Sequence, residues 1–245
     1  MLNVLNRIYT DDSGAFQELL RHNLVEGVKT FIVTANPETL MIGCQNAEFY
    51  QILAEPHTTI VPDGIGVIKA LKSVRNIKCN RITGVETSEY LLSILNDTGK
   101  SIYLYGAKKE VLSQLLQVIK EKYPNVKIAG AHNGYDGDSE EIFEDILSKS
   151  PDVVLVALGI PRQELLISQY YDRFEKGIFM GVGGTFDVLS GTKKRAPKLF
   201  IKLNLEWLYR ISKEPSRLKR FYKNNVLFFH EIKKYKKRNR QNEAN

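Results

Sequence analysis

The chain has 245 residues, 43% of them hydrophobic, with 35 Lys+Arg against 28 Asp+Glu and a formal net charge of +7. That is enough for one good core, or one core plus an appended element, and no run approaches the roughly 18–20 uninterrupted apolar residues of a membrane span. Two isolated cysteines, Cys44 and Cys79, exclude a disulfide framework and a Cys-x-x-Cys metal site.

Residues 1–12 lack the charged start and apolar run of a signal peptide, so the expected setting is a reduced cytoplasm. Strands and helices then alternate. Residues 13–24 read as a helix, 29–33 as a short strand, and 39–53 as one helix after Asn36-Pro37-Glu38. Residues 58–61 form the next strand, closed by Pro62-Asp63-Gly64 and a helix through residue 71. A helix over 87–96, a strand over 101–105 and a helix over 109–122 follow, then a strand over 126–129 and a helix over 140–149. Residues 152–158 are a continuous apolar run of the kind buried in parallel sheets. It leads through Gly159-Ile160-Pro161 into a helix from Gln163. The last strand, 177–181, enters Gly183-Gly184-Thr185.

This alternation, with short Gly/Pro loops, predicts a Rossmann-like α/β fold with a mainly parallel sheet and helices on both faces. The fold class directs attention to the loops at the carboxyl ends of strands, where such sheets bind ligands. The composition shifts sharply after residue 192. Residues 193–245 hold 17 Lys+Arg against 4 Asp+Glu, whereas residues 1–192 hold 18 against 24. The basic residues alternate with Leu, Phe, Trp and Tyr, predicting an amphipathic helix over 197–213 and a second after Ser216. The apolar positions of that second helix are 218, 221, 222, 225/226, 229 and 232, with Asn225 the weak member. The division expected is an α/β body over 1–192 and a basic helical C-terminal appendage over 193–245. Such an appendage suits an anionic surface, either phospholipid or nucleic acid.

Within the strand-end loops each candidate has a structural and a chemical reading. Asn36-Pro37-Glu38 fits an N-cap with proline at the first helical position; it also fits an anion site at a helix start, flanked by Thr34 and Asn36. Asp63 fits a turn and equally a general base at a strand end. Gly181-Val-Gly183-Gly184-Thr185 is neither the dinucleotide fingerprint nor a P-loop, which weakens a nicotinamide-dependent reading. Asp136-Gly137-Asp138 mimics a metal-holding Asp-x-Asp, but its neighbours favour a turn and N-cap. The four histidines show no ligand spacing.

In series, these motifs resemble the WecG/TagA/CpsF glycosyltransferases. The resemblance is carried by Thr34-Ala-Asn36-Pro-Glu38, Pro62-Asp63-Gly64-x-Gly66, Arg81-Ile-Thr-Gly84 and Val156-Ala-Leu-Gly159-x-Pro161-x-Gln163-Glu164. It continues in Gly181-Val-Gly-Gly-Thr-Phe-Asp187, Lys194-Arg-Ala-Pro197, Leu205-Glu-Trp-Leu-Tyr-Arg210 and Glu214-Pro215-x-Arg217, and covers residues 29–223 in collinear order. It implies an inverting transfer, without metal or cofactor, from a UDP-sugar donor to a lipid-diphosphate-linked sugar acceptor at the inner face of the cell membrane. The implied sugar is N-acetylmannosamine and the implied acceptor undecaprenyl-diphosphate-linked N-acetylglucosamine, in teichoic acid or surface polysaccharide synthesis. Relatives with other UDP-sugars leave the donor open. On this resemblance Asp63 is the base, and Thr34, Arg217 and Arg220 join it in the catalytic set. Asn36, Arg81, Gly159, Gln163, Gly183, Gly184, Thr185 and Arg210 bind substrate. A nucleic-acid-binding protein is the alternative from another class; it lacks a recognisable module and is not expected.

Overall fold

The structure is a computed structural model that describes residues 2–242. The side chains of Leu2, Lys198, Arg210, Arg217, Arg220 and residues 238–242 lie outside the described part. Six parallel strands form one sheet in the order β2-β1-β6-β5-β3-β4. They are β1 (Thr30–Ala35), β2 (Thr58–Pro62), β3 (Ser101–Gly106), β4 (Lys127–His132), β5 (Val153–Ala157) and β6 (Ile178–Gly181). The Val-Val-Leu-Val-Ala run of β5 is buried throughout, because helices cover both faces of a central parallel strand.

One face is packed by α1 (Leu2–Arg7), α3 (Pro37–Gln45), α4 (Ala47–Ala54), α5 (Ile65–Arg75), α8 (Ser139–Lys149) and α9 (Arg162–Tyr171). The other is packed by α2 (Ser13–Glu26), α6 (Gly84–Thr98), α7 (Lys109–Lys122) and α10 (Thr185–Leu189). Alternation along each strand divides the cores: Phe31, Val33 and Ala35 of β1 face the first layer, and Ile32 faces the second. The chain then forms α11 (Lys198–Lys202), α12 (Glu206–Lys213) and α13 (Arg217–Asn242).

Several expected boundaries move, for identifiable reasons. The helix expected over 39–53 is two, because Asn46 leaves helical geometry and its side chain accepts the Phe49 amide to cap α4. The helix expected over 197–213 is also two. Asn204 adopts a left-handed conformation (φ 58°), and the Leu205 amide donates to the Phe200 carbonyl, a Schellman-type ending. The short helix α1 has no counterpart among the expected elements; Val4, Leu5 and Ile8 bury against the sheet, and the Arg7 guanidinium donates to the Leu53 and Thr58 carbonyls. The expected apolar stripe of α13 is largely exposed at Leu218, Tyr222 and Val226. The helix anchors on the first face through Ile232 (4% exposed), one of the expected positions, and through Phe228 (0%), which was not among them, against α3 and α5. It runs on through residues 233–242. No helix among the described residues is long and apolar enough to cross a membrane.

Candidate active site

The strand order places the ends of β1, β2, β5 and β6 side by side, and their following loops form one polar rim. The register pairs Ala35 with Pro62 and Val156 with Gly181, bringing the residues after each strand to a common level. At the end of β1, Asn36 caps α3: its Oδ1 accepts the amides of Glu38 (2.8 Å) and Thr39 (3.1 Å). The Thr39 hydroxyl closes the capping box by accepting the Asn36 amide. Those amides, which sequence reading offered to an anion, are therefore occupied, and Asn36 is left its Nδ2 group to turn toward a ligand.

The neighbouring loop is held to this one by backbone. The amides of Asp63 and Gly64 both donate to the Ala35 carbonyl, at 2.9 and 3.2 Å. A Cβ on Gly64 would fall 2.9 Å from that of Asn36, so the close approach of the two loops requires glycine. The Ile82 amide donates to the Pro62 carbonyl at 2.9 Å, which draws Arg81 alongside Asp63. Arg81 Nε lies 3.7 Å from Asp63 Oδ1, and Arg81 Nη2 donates to Glu206 Oε2 at 2.5 Å. Burial opposes the charge on Arg81, but Asp63, Glu206 and Glu86 outweigh it and hold the guanidinium above its ordinary pKa.

Glu206 opens α12, is 5% exposed, and is one of four acidic residues in the basic segment. It stands between two clefts. The first, of about 400 Å³, is lined on the body side by Asn36, Asp63, Gly64, Lys69 and Arg81, and on the other by Trp207, Ile211, Phe221, Asn225 and Phe229. Trp207 stacks on Phe221, with ring centroids 4.6 Å apart and planes 6° from parallel. The second, of about 430 Å³, lies among Gly184, Lys193, Arg195, Tyr209 and Glu214. Here Lys193 pairs with Glu214 at 2.9 Å and with Asp187 at 3.3 Å, chiefly the former raising its pKa. Gly84 lies between Thr34 and Thr185: a Cβ there would come within 3.6 Å of both side chains.

Gln163 is a buried clamp. Its Oε1 accepts the amides of Gly159 and Gly183, each at 3.0 Å, tying the β5 and β6 loops together. Its Nε2 donates to Glu164 Oε1 at 2.7 Å. Burial pushes the Glu164 carboxyl up to about 7, against the lowering effect of the Gln163 hydrogen bond. Gly181 leaves room for both side chains, since a Cβ there would approach them within 2.7 Å.

The structure thus gathers Thr34, Asn36, Asp63, Arg81, Gly159, Gln163, Gly183, Gly184 and Thr185 at one end of the sheet. Arg210, Arg217 and Arg220 lie on α12 and at the start of α13, beside the first cleft, with side chains outside the described residues. Asp136 and Asp138 are remote. They follow β4, five inter-strand spacings from β2, or about 24 Å. Asp136 accepts from Asn133, and Asp138 caps α8 through the Glu140 amide. Sequence reading missed Lys69 and Glu206. For Glu206 the signal was an acid inside a strongly basic, apolar-rich segment.

The model of the "Glycosyl transferase WecG/TagA/CpsF family" matches residues 4–242. Relatives include a Bacillus subtilis (strain 168) protein named N-acetylglucosaminyldiphosphoundecaprenol N-acetyl-beta-D-mannosaminyltransferase. It is 40% identical over 202 residues, covering 82% of this chain and 78% of the relative. Proteins of the same name from Bacillus spizizenii and Staphylococcus aureus (strain MW2) are 40% and 34% identical, over 89% and 88% of this chain and 85% and 88% of their own. The chain belongs to the WecG/TagA/CpsF family of glycosyltransferases.

Proposed function

We propose that this enzyme transfers N-acetylmannosamine from a UDP-sugar to N-acetylglucosamine carried on undecaprenyl diphosphate, with inversion and without a metal ion. The relatives' names supply the transferred sugar and the acceptor. The observation that carries the reading is Asp63, lining a cleft walled by both body and appendage, 3.7 Å from the half-buried Arg81. In the proposed step the Asp63 carboxylate takes the proton of an acceptor hydroxyl while that oxygen bonds to the anomeric carbon of the donor. The bond from that carbon to the diphosphate breaks, and UDP leaves with the electron pair. Arg81, Lys69 and the appendage arginines Arg210, Arg217 and Arg220 would offset the charge on the departing diphosphate. The start of α5 supports the same role, since Gly64 provides no side-chain cap for its amides.

The appendage, residues 193–245, has a second task on this reading. Exposed Leu199, Leu203, Leu208, Leu218, Tyr222 and Val226, set among lysines, suit the interface of an anionic membrane, where the acceptor resides. The test is a screen of UDP-sugars against a soluble lipid-diphosphate N-acetylglucosamine analogue, with and without EDTA. Transfer from UDP-N-acetylmannosamine, insensitive to EDTA, is expected. Preference for another donor would overturn the sugar assignment, and EDTA loss restored by Mg or Mn would overturn the metal-free step.

A further inference from the structure

Gln163 and Glu164, at the start of α9, are 2% and 1% exposed, and neither lines either cleft. The loops they serve are at the rim. Gln163 Oε1 accepts the amides of Gly159 and Gly183, each at 3.0 Å. Both glycines have positive φ, 81° and 49°, and a Cβ on either would meet nothing within 4 Å. No crowding around these positions fixes the loops, which leaves backbone hydrogen bonds, those to the clamp among them, to do so. An amide works as this clamp in one orientation only, since turning it over would set Nε2 against two N–H donors. Glu164 adds the third contact: its Oε1 accepts Gln163 Nε2 at 2.7 Å. Its Oε2 is buried without a hydrogen-bond partner among the described residues. Oε1 can accept whether or not Oε2 carries a proton, so the orientation holds on both sides of the raised carboxyl pKa of about 7.

We propose that Glu164 is a positioning residue for the donor: by accepting Gln163 Nε2 it fixes the amide whose oxygen ties the Gly159 and Gly183 loops together, and so sets the shape of the Gly183-Gly184-Thr185 turn that receives the nucleotide. The inference rests on the reading of a UDP-sugar as donor, held at that turn. It gives Gln163 a part different from the substrate contact that the family resemblance implies. Both side chains act through backbone, from beneath the site, without touching substrate. Gly181 belongs to the same device, because a Cβ there would fall 2.5 Å from Gln163 Nε2 and 2.7 Å from Glu164 Oε1, where the two side chains meet.

The test compares Glu164→Met, which removes the acceptor at similar side-chain length, with Glu164→Gln, which keeps an acceptor without the carboxyl. In the full-length protein at neutral pH, calorimetry measures UDP affinity and NMR follows hydrogen exchange at the Gly159 and Gly183 amides. Glu164→Met should weaken UDP binding by about tenfold, the scale of one well-placed hydrogen bond. It should speed exchange at both glycines while the amides of Val154, Leu155 and Val156 inside β5 keep their protection. Glu164→Gln should restore the wild-type values of both. Gln163→Met should weaken UDP binding at least as much, and adding Glu164→Met to it should cost nothing further, because one residue acts through the other. Wild-type UDP affinity in Glu164→Met, an equal loss in Glu164→Gln, or a further loss in the double variant would overturn the proposal. Equal acceleration inside β5 would overturn it too, marking Glu164 as a core residue only. If the wild-type protein bound no UDP, the donor reading would fail, while exchange at the two glycines would still decide whether Glu164 sets the clamp.

Discussion

Phe228→Ala should release the appendage while leaving the body folded. Phe228 is fully buried although it lies on a helix of largely exposed, basic residues, and it packs against α3 and α5 with Ile232 one turn further on. Truncating a buried phenylalanine costs about 3–5 kcal/mol. The β-sheet does not share that loss, since its strands are covered by their own helices. At roughly 1.4 kcal/mol per decade, the docking equilibrium should shift by a factor of about 10² to a few thousand. The other ties among the described residues, which include Ile232 and the ion pairs Arg81–Glu206, Lys193–Asp187 and Arg195–Glu86, would hold only a fraction of molecules closed. Hydrogen exchange read segment by segment is the assay, with residues 217–237 compared against β1, β5 and β6. The chain's one tryptophan, Trp207 stacked on Phe221, supplies a second signal at the cleft. Selective loss of protection in α13 with an altered Trp207 emission is expected. Equal acceleration in the central strands would refute the reasoning, because Phe228 would then belong to the common core and residues 193–245 would not be a separable appendage.

Two further outcomes follow from the charged groups. Glu164 has a folded-state pKa raised to about 7, so its ionisation opposes folding, and its stability penalty grows as pH rises from about 4.5 through 7. Glu164→Gln should therefore gain stability over the parent at pH 8, by up to about 3 kcal/mol, and little at pH 4; denaturant unfolding at the two values checks the sign. Arg217→Ala should reduce turnover more than it weakens binding to anionic liposomes, whereas replacing Lys233, Lys234, Lys236 and Lys237 should do the reverse. Comparable effects of both variants on both readouts would contradict a division of labour along α13.

The order of elements and the rim of the site were legible because they are local signals. The β5 run, the Asn-Pro pair of α3 and the glycines after β6 each announce themselves within a few residues. Two helix breaks were missed, at Asn46 and Asn204, because at each a single asparagine makes the break and the apolar pattern continues across it. The anchor of α13 at Phe228 was missed for a different reason. Its exposed stripe is more continuous than its buried one, and only the position of α3 and α5 decides which side is covered. The pairing of Arg81 with Glu206 spans 125 residues. No spacing rule reaches that far. The Gln163 clamp was similarly hidden, since the two loops it joins meet only when β5 and β6 pair.

The measurement that bears most directly on the catalytic assignment is Asp63→Asn, assayed for UDP release and disaccharide formation, with UDP binding followed by calorimetry. The expected result is near-wild-type UDP affinity with transfer reduced by at least about 10²-fold, the typical contribution of a positioned base. Transfer by the Asp63→Asn variant at the wild-type rate would contradict the assignment of Asp63 as the group that takes the acceptor's proton.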